Sequence, residues 1–468
     1  MISNNKYDLR IFLSSTFDET VIREARDAFR NEISARLNNI VGLLGGNAYI
    51  YDLQLGIPEG TDALKTLEIC FDKIKDSNCC VFILSEKYGK QNTKVFLVGD
   101  KGVPEQNITL SPYAETIQKG LDKELYIIEL ELLESGKKDE LEGKRLFFFD
   151  KKIEHQSAYA AKIKEEIIRK HENTDTIIEF ETPDEIKEEF IAYFEQLISV
   201  QGEQFSTEEQ NYNLHMSSML RYYVENRDGL SLLNEYRDSD SRKVFVLYGH
   251  SGSGKSTLLA DWLNQSYKDT SVIYYAVGIR GSSLREMLME LYRKYWTDMP
   301  EDLYNADEQK LTEKFYLFLC ECGQKGKTII ILDALNQLTM EREGINKYSW
   351  IPRYLPKNVK LILTTTDRLS NSEFDIREVP DVNVVDIIKH ILKCEGKEFE
   401  TGTIEQALKE SLFPQSNLPI LARLVYNEIV ENFQYDNIKT RLIEHLSNHK
   451  DIKSLYESYL RRLSVRFG

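Results

Sequence analysis

The stretch VFVLYGHSGSGKSTLLADWL, residues 244–263, decides the fold of the chain's second half. It opens on apolar, β-favouring residues and closes on apolar residues at helical spacing. Between them, Gly249-His-Ser-Gly-Ser-Gly254-Lys255-Ser256 satisfies G-x-x-x-x-G-K-[ST] in the strand–loop–helix context this motif needs. Glycines let the loop curl around an anion and aim successive N–H groups inward. The helix that follows adds the positive end of its dipole. Gly249, Ser251, Gly252, Ser253, Gly254, Lys255, Ser256 and Thr257 are therefore candidate nucleotide-binding residues. Lys255 would reach the β- and γ-phosphates, and the Ser256 hydroxyl would hold Mg²⁺.

Such a loop predicts a second strand ending in a carboxylate that helps hold the metal. KTIIILD, residues 327–333, supplies it: an apolar run fit for burial on both sheet faces, with Asp333 at its C-terminal end. Asn336 and Gln337 then stand where many ATPases with this loop place an acid that polarises the attacking water. An amide orients a water but cannot take its proton, so slow turnover and a nucleotide used as a switch are expected. As a plainer alternative, these two residues simply start a helix. KLILTTTDR, residues 360–368, reads as a further strand ending beside the γ-phosphate, with Thr365, Thr366 and Arg368 as sensor candidates. Arg368 equally fits a solvated loop.

Working outward, the block from 243 to about 381 alternates strand and helix patterns, with strands at 244–248, 272–277, 328–332 and 360–366. From 384 onward no strand pattern recurs, and four short amphipathic segments predict a small helical domain. Residues 1–200 also alternate, with strands at 9–14, 48–53, 79–84, 145–149 and 176–180. Helices are predicted at 20–37, 62–75, around 124–134, at 160–171, and from Pro183 to about 200. Strand and helix in alternation mean a parallel sheet covered on both faces. The expected division is 1–200, a polar linker at 201–210, an ATPase core at 211–382, the helical domain at 383–450 and a terminal helical region at 451–468.

At 468 residues the chain has room for roughly three domains. Its 60 basic and 76 acidic residues give a net charge of −16, which argues against duplex nucleic acid as the main partner. No apolar run approaches the roughly 20 residues of a membrane span, and the start lacks the pattern of a signal peptide. The six cysteines sit mostly in apolar runs without metal-ligand spacing, so free thiols and a cytoplasmic location are expected.

The second half resembles a NACHT-type member of the STAND signalling ATPases over about residues 212–468. Beyond the phosphate motifs, Asn226-Arg227-Asp-Gly-Leu is similar to the family's lead-in helix, and Ala276-Val-Gly278 is followed by Ser282-Ser283. DALNQL and WIPRYLPKNVKLILTTT are close to a subset found in telomerase-associated and nephrocystin-like proteins. Asn417-Leu-Pro419-Ile-Leu resembles the motif whose proline lies against the adenine. The resemblance adds Arg227 and Pro419 to the nucleotide site and implies a switch that is ADP-bound at rest, then ATP-bound and self-associated into an oligomer. Residues 451–463 are similar to the lead-in to a winged helix. Where the family continues into sensor repeats, either a longer protein or a separate sensor chain is expected.

In the first half, Arg10-Ile-Phe-Leu-Ser-Ser-Thr-Phe-Asp18 with Glu24-Ala-Arg26-Asp27 resembles a TIR-like domain often found ahead of NACHT ATPases. Tyr51-Asp52-Leu-Gln-Leu-Gly56 and VFILSEKYG (81–89) match its second and third strand motifs, and Ile128-Glu129-Leu-Glu131 continues it, so the likeness spans about 7–198. The parallel with true TIR domains implies NAD as a substrate, with Glu129 catalytic and Ser15, Phe17 and Asp52 beside it. Cleaving the nicotinamide–ribose bond passes through an oxocarbenium-like state that a carboxylate stabilises. Ser14–Thr16 and Asp52 fit the carboxyl rim of an open sheet, where ligands bind. The same residues also fit helix and loop caps, and Glu129 an exposed helix position.

The expected architecture is thus a TIR/flavodoxin-like parallel sheet, then a P-loop NTPase α/β domain, then a small helical domain. The expected function is an ATP-driven switch of innate immunity or antiphage defence that activates an NAD-hydrolysing effector. The alternative keeps the ATPase and makes the first domain a non-enzymatic adaptor.

Overall fold

The apolar runs of the first half become β1 (Leu9–Ser15), β2 (Ala48–Asp52), β3 (Cys79–Leu84), β4 (Arg145–Asp150) and β5 (Thr176–Phe180). The computed structural model describes residues 7–15, 24, 26, 29–52, 62–85, 93–98, 105–139, 144–151, 158–202, 207–264, 270–279, 281–340, 346–369, 373–395, 401–411, 418–432 and 438–467. They fall into two units. Unit 1 comprises Met1–Tyr222, Ile388–Ser411 and Tyr426–His445; unit 2 comprises Tyr223–Ile387, Leu412–Val425 and Leu446–Gly468.

The sheet of unit 1 has the order β2-β1-β3-β4-β5, with every pairing parallel. Side chains alternate between its faces, and both faces are covered, which is why the strands are largely apolar. Ile11 and Leu13 pack with Phe29, Leu37, Phe190 and Phe194, under helices Ser34–Gly42 and Pro183–Gly202. Phe12 faces the other way, with Leu67, Phe71, Leu130 and Phe147, under helices Ala63–Asp76 and Ile127–Gly136. The order in which strands are added reverses between β1 and β3, and the switch point of such a sheet is where ligands sit, beyond the carboxyl ends.

The expected linker at 201–210 is instead bracketed by helices Pro183–Gly202 and Thr207–Leu220. The second of these packs on helix Ser34–Gly42. A Cβ on Gly42 would stand 2.6 Å from Leu214 Cδ1, so glycine there permits the approach. The apolar anchors Leu214 and Met216 come after the polar window, which is why that window looks unstructured.

In unit 2, β6 (Phe245–Tyr248), β7 (Ser271–Ala276), β8 (Thr328–Asp333), β9 (Val359–Thr365) and β10 (Asp375–Glu378) form a parallel sheet in the order β10-β6-β9-β8-β7. Strand β9 therefore lies between the strand that feeds the glycine loop and the strand that ends in Asp333. β10 goes unseen in the sequence because its residues, DIRE, are mostly charged and half exposed, as an edge strand tolerates. Beyond Val384 the described residues are helical: Val384–Cys394, Thr401–Glu410, Pro419–Asn432, Ile438–Ser447 and Ile452–Phe467. Their segments are divided between the two units.

Candidate functional site

Strand β6 delivers the chain to Gly249, whose N–H donates to Thr365 O at 3.3 Å and so joins the loop to the end of β9. Gly252 and Gly254 take φ of +79° and +89°, conformations that suit glycine alone. Helix Lys255–Asn264 follows directly. Lys255 is buried, and its Nζ donates to Gly249 O at 2.8 Å and His250 O at 2.9 Å. Burial lowers the ammonium's pKa, opposed by the charge of Asp333. Ser253 is buried, Ser256 and Thr257 are half-buried, and Ser251 is exposed.

Asp333 is 2% exposed. Its Oδ2 accepts from Tyr274 OH at 3.0 Å, and its Oδ1 accepts from Thr364 Oγ1. Thr364 Oγ1 in turn accepts from Ala334 N at 2.7 Å, and Ala334 is left-handed at φ 59°. Two hydroxyls thus fix the rotamer of the carboxylate. The sensor candidates sit on the same rim. Thr366 N donates to Asn336 Oδ1 at 3.3 Å, and the Arg368 guanidinium lies 6.0 Å from the Tyr248 ring centroid. Gln337 packs on Gly278, where a Cβ would stand 2.0 Å from Gln337 Oε1.

Pro419 heads helix Pro419–Asn432, whose Ile420 N donates to Gly252 O at 3.2 Å. A Cβ on Gly254 would stand 3.7 Å from Pro419 Cγ, so the proline does reach the loop. Arg227 points elsewhere: its side chain is 85% exposed and pairs with Glu225 at 3.0 Å. Its neighbour Asn226 does the structural work. It caps helix Arg227–Asp238 through Gly229 N and ties it to Pro380 O at 2.9 Å.

In unit 1 a second polar cluster occupies the carboxyl rim of β1 and β2. Ser14 Oγ donates to Glu131 Oε2 at 2.5 Å, with both residues buried. Arg26 Nη1 donates to Ser15 Oγ at 2.6 Å, and its Nη2 forms a buried ion pair with Asp52. Burial raises the Glu131 carboxyl to about 7, opposed by hydrogen bonds from Ser14 and Cys70 and by the charge of Arg26. Ser85, fully buried just past β3, has a hydroxyl that finds no hydrogen-bond partner among the described residues.

The expectation for Glu129 needs correction. Its Oε2 accepts from Tyr126 N at 2.8 Å, capping helix Ile127–Gly136, and the carboxylate beside Ser14 is Glu131. Two residues on a helix turn the side chain by about 200°. Arg26 and Glu131, which the sequence reading quoted in its motifs but did not place in the site, lie on this rim. Phe17 lies outside the described residues, and Glu24 is helical and exposed. Among the described residues, no group of three or more His, Cys, Asp or Glu could hold a metal, and all six cysteines are free. No described helix is long and apolar enough to cross a membrane.

Loop, strand order and carboxylate together make unit 2 a P-loop NTPase fold. Residues 10–193 match the family described as a domain of unknown function, DUF4062. Over 251 residues the chain is 26% identical to human "Putative tetratricopeptide repeat protein 41", covering 47% of this chain and 18% of that one. It is 24% identical over 269 residues to mouse "NACHT and WD repeat domain-containing protein 2", covering 49% and 14%. The chain thus spans less than a fifth of these relatives' lengths. A solved chain from the Drosophila ORC bound to DNA is also similar, at 9% identity and a TM-score of 0.33, covering 47% of this chain and 61% of that one. At that score the likeness is too slight to bear on the site.

Proposed function

We propose that this chain is a nucleotide-dependent switch of the NACHT type, binding ATP or ADP at the glycine loop and turning ATP over slowly. The observation that carries this reading is the pairing of Lys255, held over the loop carbonyls, with Asp333, oriented by Tyr274 and Thr364. Mg²⁺ fits the same residues: Ser256 and Asp333 would hold it, and hydroxyl donors already orient the carboxylate as outer-shell partners do. When bound, the ion would neutralise phosphate charge. Slow turnover follows from Asn336, which positions a water without deprotonating it.

The N-terminal unit is the effector in this reading, and its substrate is NAD. The Ser14–Glu131 contact favours an enzyme over an adaptor, because it holds a carboxyl able to gain or lose a proton near neutrality at the carboxyl rim of β1. Water adds to the ribose carbon as the nicotinamide leaves with the bonding pair, the water's surplus proton passes to solvent, and Glu131 stabilises the developing positive charge. Self-association on ATP binding, under a separate or C-terminal sensor as the resemblance implies, would bring effector units together in a defence system.

The test is NAD consumption by the purified chain with ATP and Mg²⁺, alongside Glu131→Gln, Glu129→Gln and Lys255→Ala. The reading expects loss of turnover in Glu131→Gln, survival in Glu129→Gln, and dependence on Lys255. No NAD loss under assembling conditions leaves the adaptor reading; no ATP binding removes the switch as well.

A further inference from the structure

The segment between β8 and β9 carries a cation that the nucleotide motifs do not account for. Lys347 Nζ lies 2.8 Å from Asp367 Oδ2 and 3.1 Å from Asn336 O. Asp367 stands just past the end of β9, and Asn336 just past the end of β8. These are the strand ends that face a nucleotide held on the loop after β6, since ligands of such sheets sit beyond the carboxyl ends. The link to the loop is short: Tyr348 OH donates to Asp367 Oδ2 at 2.6 Å and lies 2.8 Å from Thr365 Oγ1, and Thr365 O accepts the Gly249 N–H.

The backbone at Lys347 is anchored while the lysine head is accessible. Trp350 Nε1 donates to Lys347 O at 2.8 Å, and the Trp350 ring meets Phe315 edge to face at 5.0 Å. The Lys347 side chain is 30% exposed. An ammonium carries three N–H donors, and Lys347 uses two of them on protein among the described residues. An uncompensated Asp367 on this rim would repel a terminal phosphate, so the lysine that neutralises it also prepares the rim for an anion.

We propose that Lys347 is a specificity residue for the terminal phosphate of a nucleoside triphosphate, donating its remaining N–H to that group while Asp367 and Asn336 hold it in place. Lys347 then distinguishes triphosphate from diphosphate, whereas Lys255 serves both. This rests on the reading of unit 2 as a nucleotide switch.

The test measures affinities of the full chain for a non-hydrolysable ATP analogue and for ADP by calorimetry, with wild type, Lys255→Ala, Lys347→Met, Lys347→Arg and Tyr348→Phe. Loss of a charge-assisted hydrogen bond predicts about ten-fold or more weaker triphosphate binding in Lys347→Met with ADP affinity unchanged. Lys347→Arg restores part of the difference, and Tyr348→Phe gives a smaller change of the same kind. An equal loss for both nucleotides, or none for either, overturns the proposal while wild-type binding lost in Lys255→Ala leaves the switch standing. Wild type binding neither nucleotide removes both.

Discussion

The two sheets place their polar groups on the same kind of edge yet hold them by different means. On the rim of unit 1 the fixing forces are buried charges: Arg26 on Asp52 and Ser15, and Ser14 on Glu131. In unit 2 the loop is shaped by backbone, through positive-φ glycines and the N–H of Ile420 on Gly252 O. Side-chain charges tune a site through protonation, whereas glycine turns fix its shape whatever the pH. The first rim should therefore respond to pH and charge removal, and the second to added side-chain bulk.

The largest effect is expected from Asp52→Ala. Removing one partner of this buried ion pair should cost unit 1 about 3–5 kcal/mol, read as a lower denaturation midpoint. A change under 1 kcal/mol would mean the pair is solvated and the contrast between the rims is wrong. Next comes Glu131→Gln. A carboxyl held near 7 in the fold, against about 4.5 unfolded, favours the folded state fully below pH 4.5. That contribution fades as pH rises from there through 7. The variant should therefore gain on wild type by up to about 3 kcal/mol between pH 4.5 and pH 8. Parallel stability curves would sink the buried-carboxyl account.

Gly252→Ala tests the other rim. It adds a Cβ at φ +79°, 2.6 Å from Ile420 Cγ2, and should destabilise unit 2 by about 1–3 kcal/mol at every pH, weakening nucleotide binding in step. A pH-dependent loss would erase the distinction between the two rims. The smallest effect belongs to Glu129→Ala, which removes a helix cap and should cost about 1 kcal/mol in thermal unfolding. A loss as large as that of Asp52→Ala would give Glu129 a role beyond capping.

The same contrast explains what could be read in advance. The phosphate loop is one contiguous run whose chemistry demands particular residues at fixed spacing, and Asp333 follows from a strand that must end in a carboxylate. The unit 1 rim draws Ser14, Arg26, Asp52 and Glu131 from separate elements that only the fold brings together. Helix Ile127–Gly136 is apolar on nearly every side, so periodicity could not tell which glutamate faces inward. Its turn from Tyr126 was a signal, since a glutamate at the third helical position commonly caps. Lys347 belongs to no motif, and its placement depends on where β8 and β9 end. The rim of unit 1 was legible as an edge but not as a set of partners.

The contact between Ile420 and Gly252 also bears on the order in which the protein becomes competent during synthesis. The residue that closes over the glycine loop is made about 170 residues after it, or roughly ten to thirty seconds later at ribosomal speed. Until then the nascent chain carries the loop without the helix end that meets it. A chain stalled before Pro419 should hold nucleotide loosely even with β6, β8 and β9 already made, so emergence of helix Pro419–Asn432, rather than sheet formation, marks when the loop is finished.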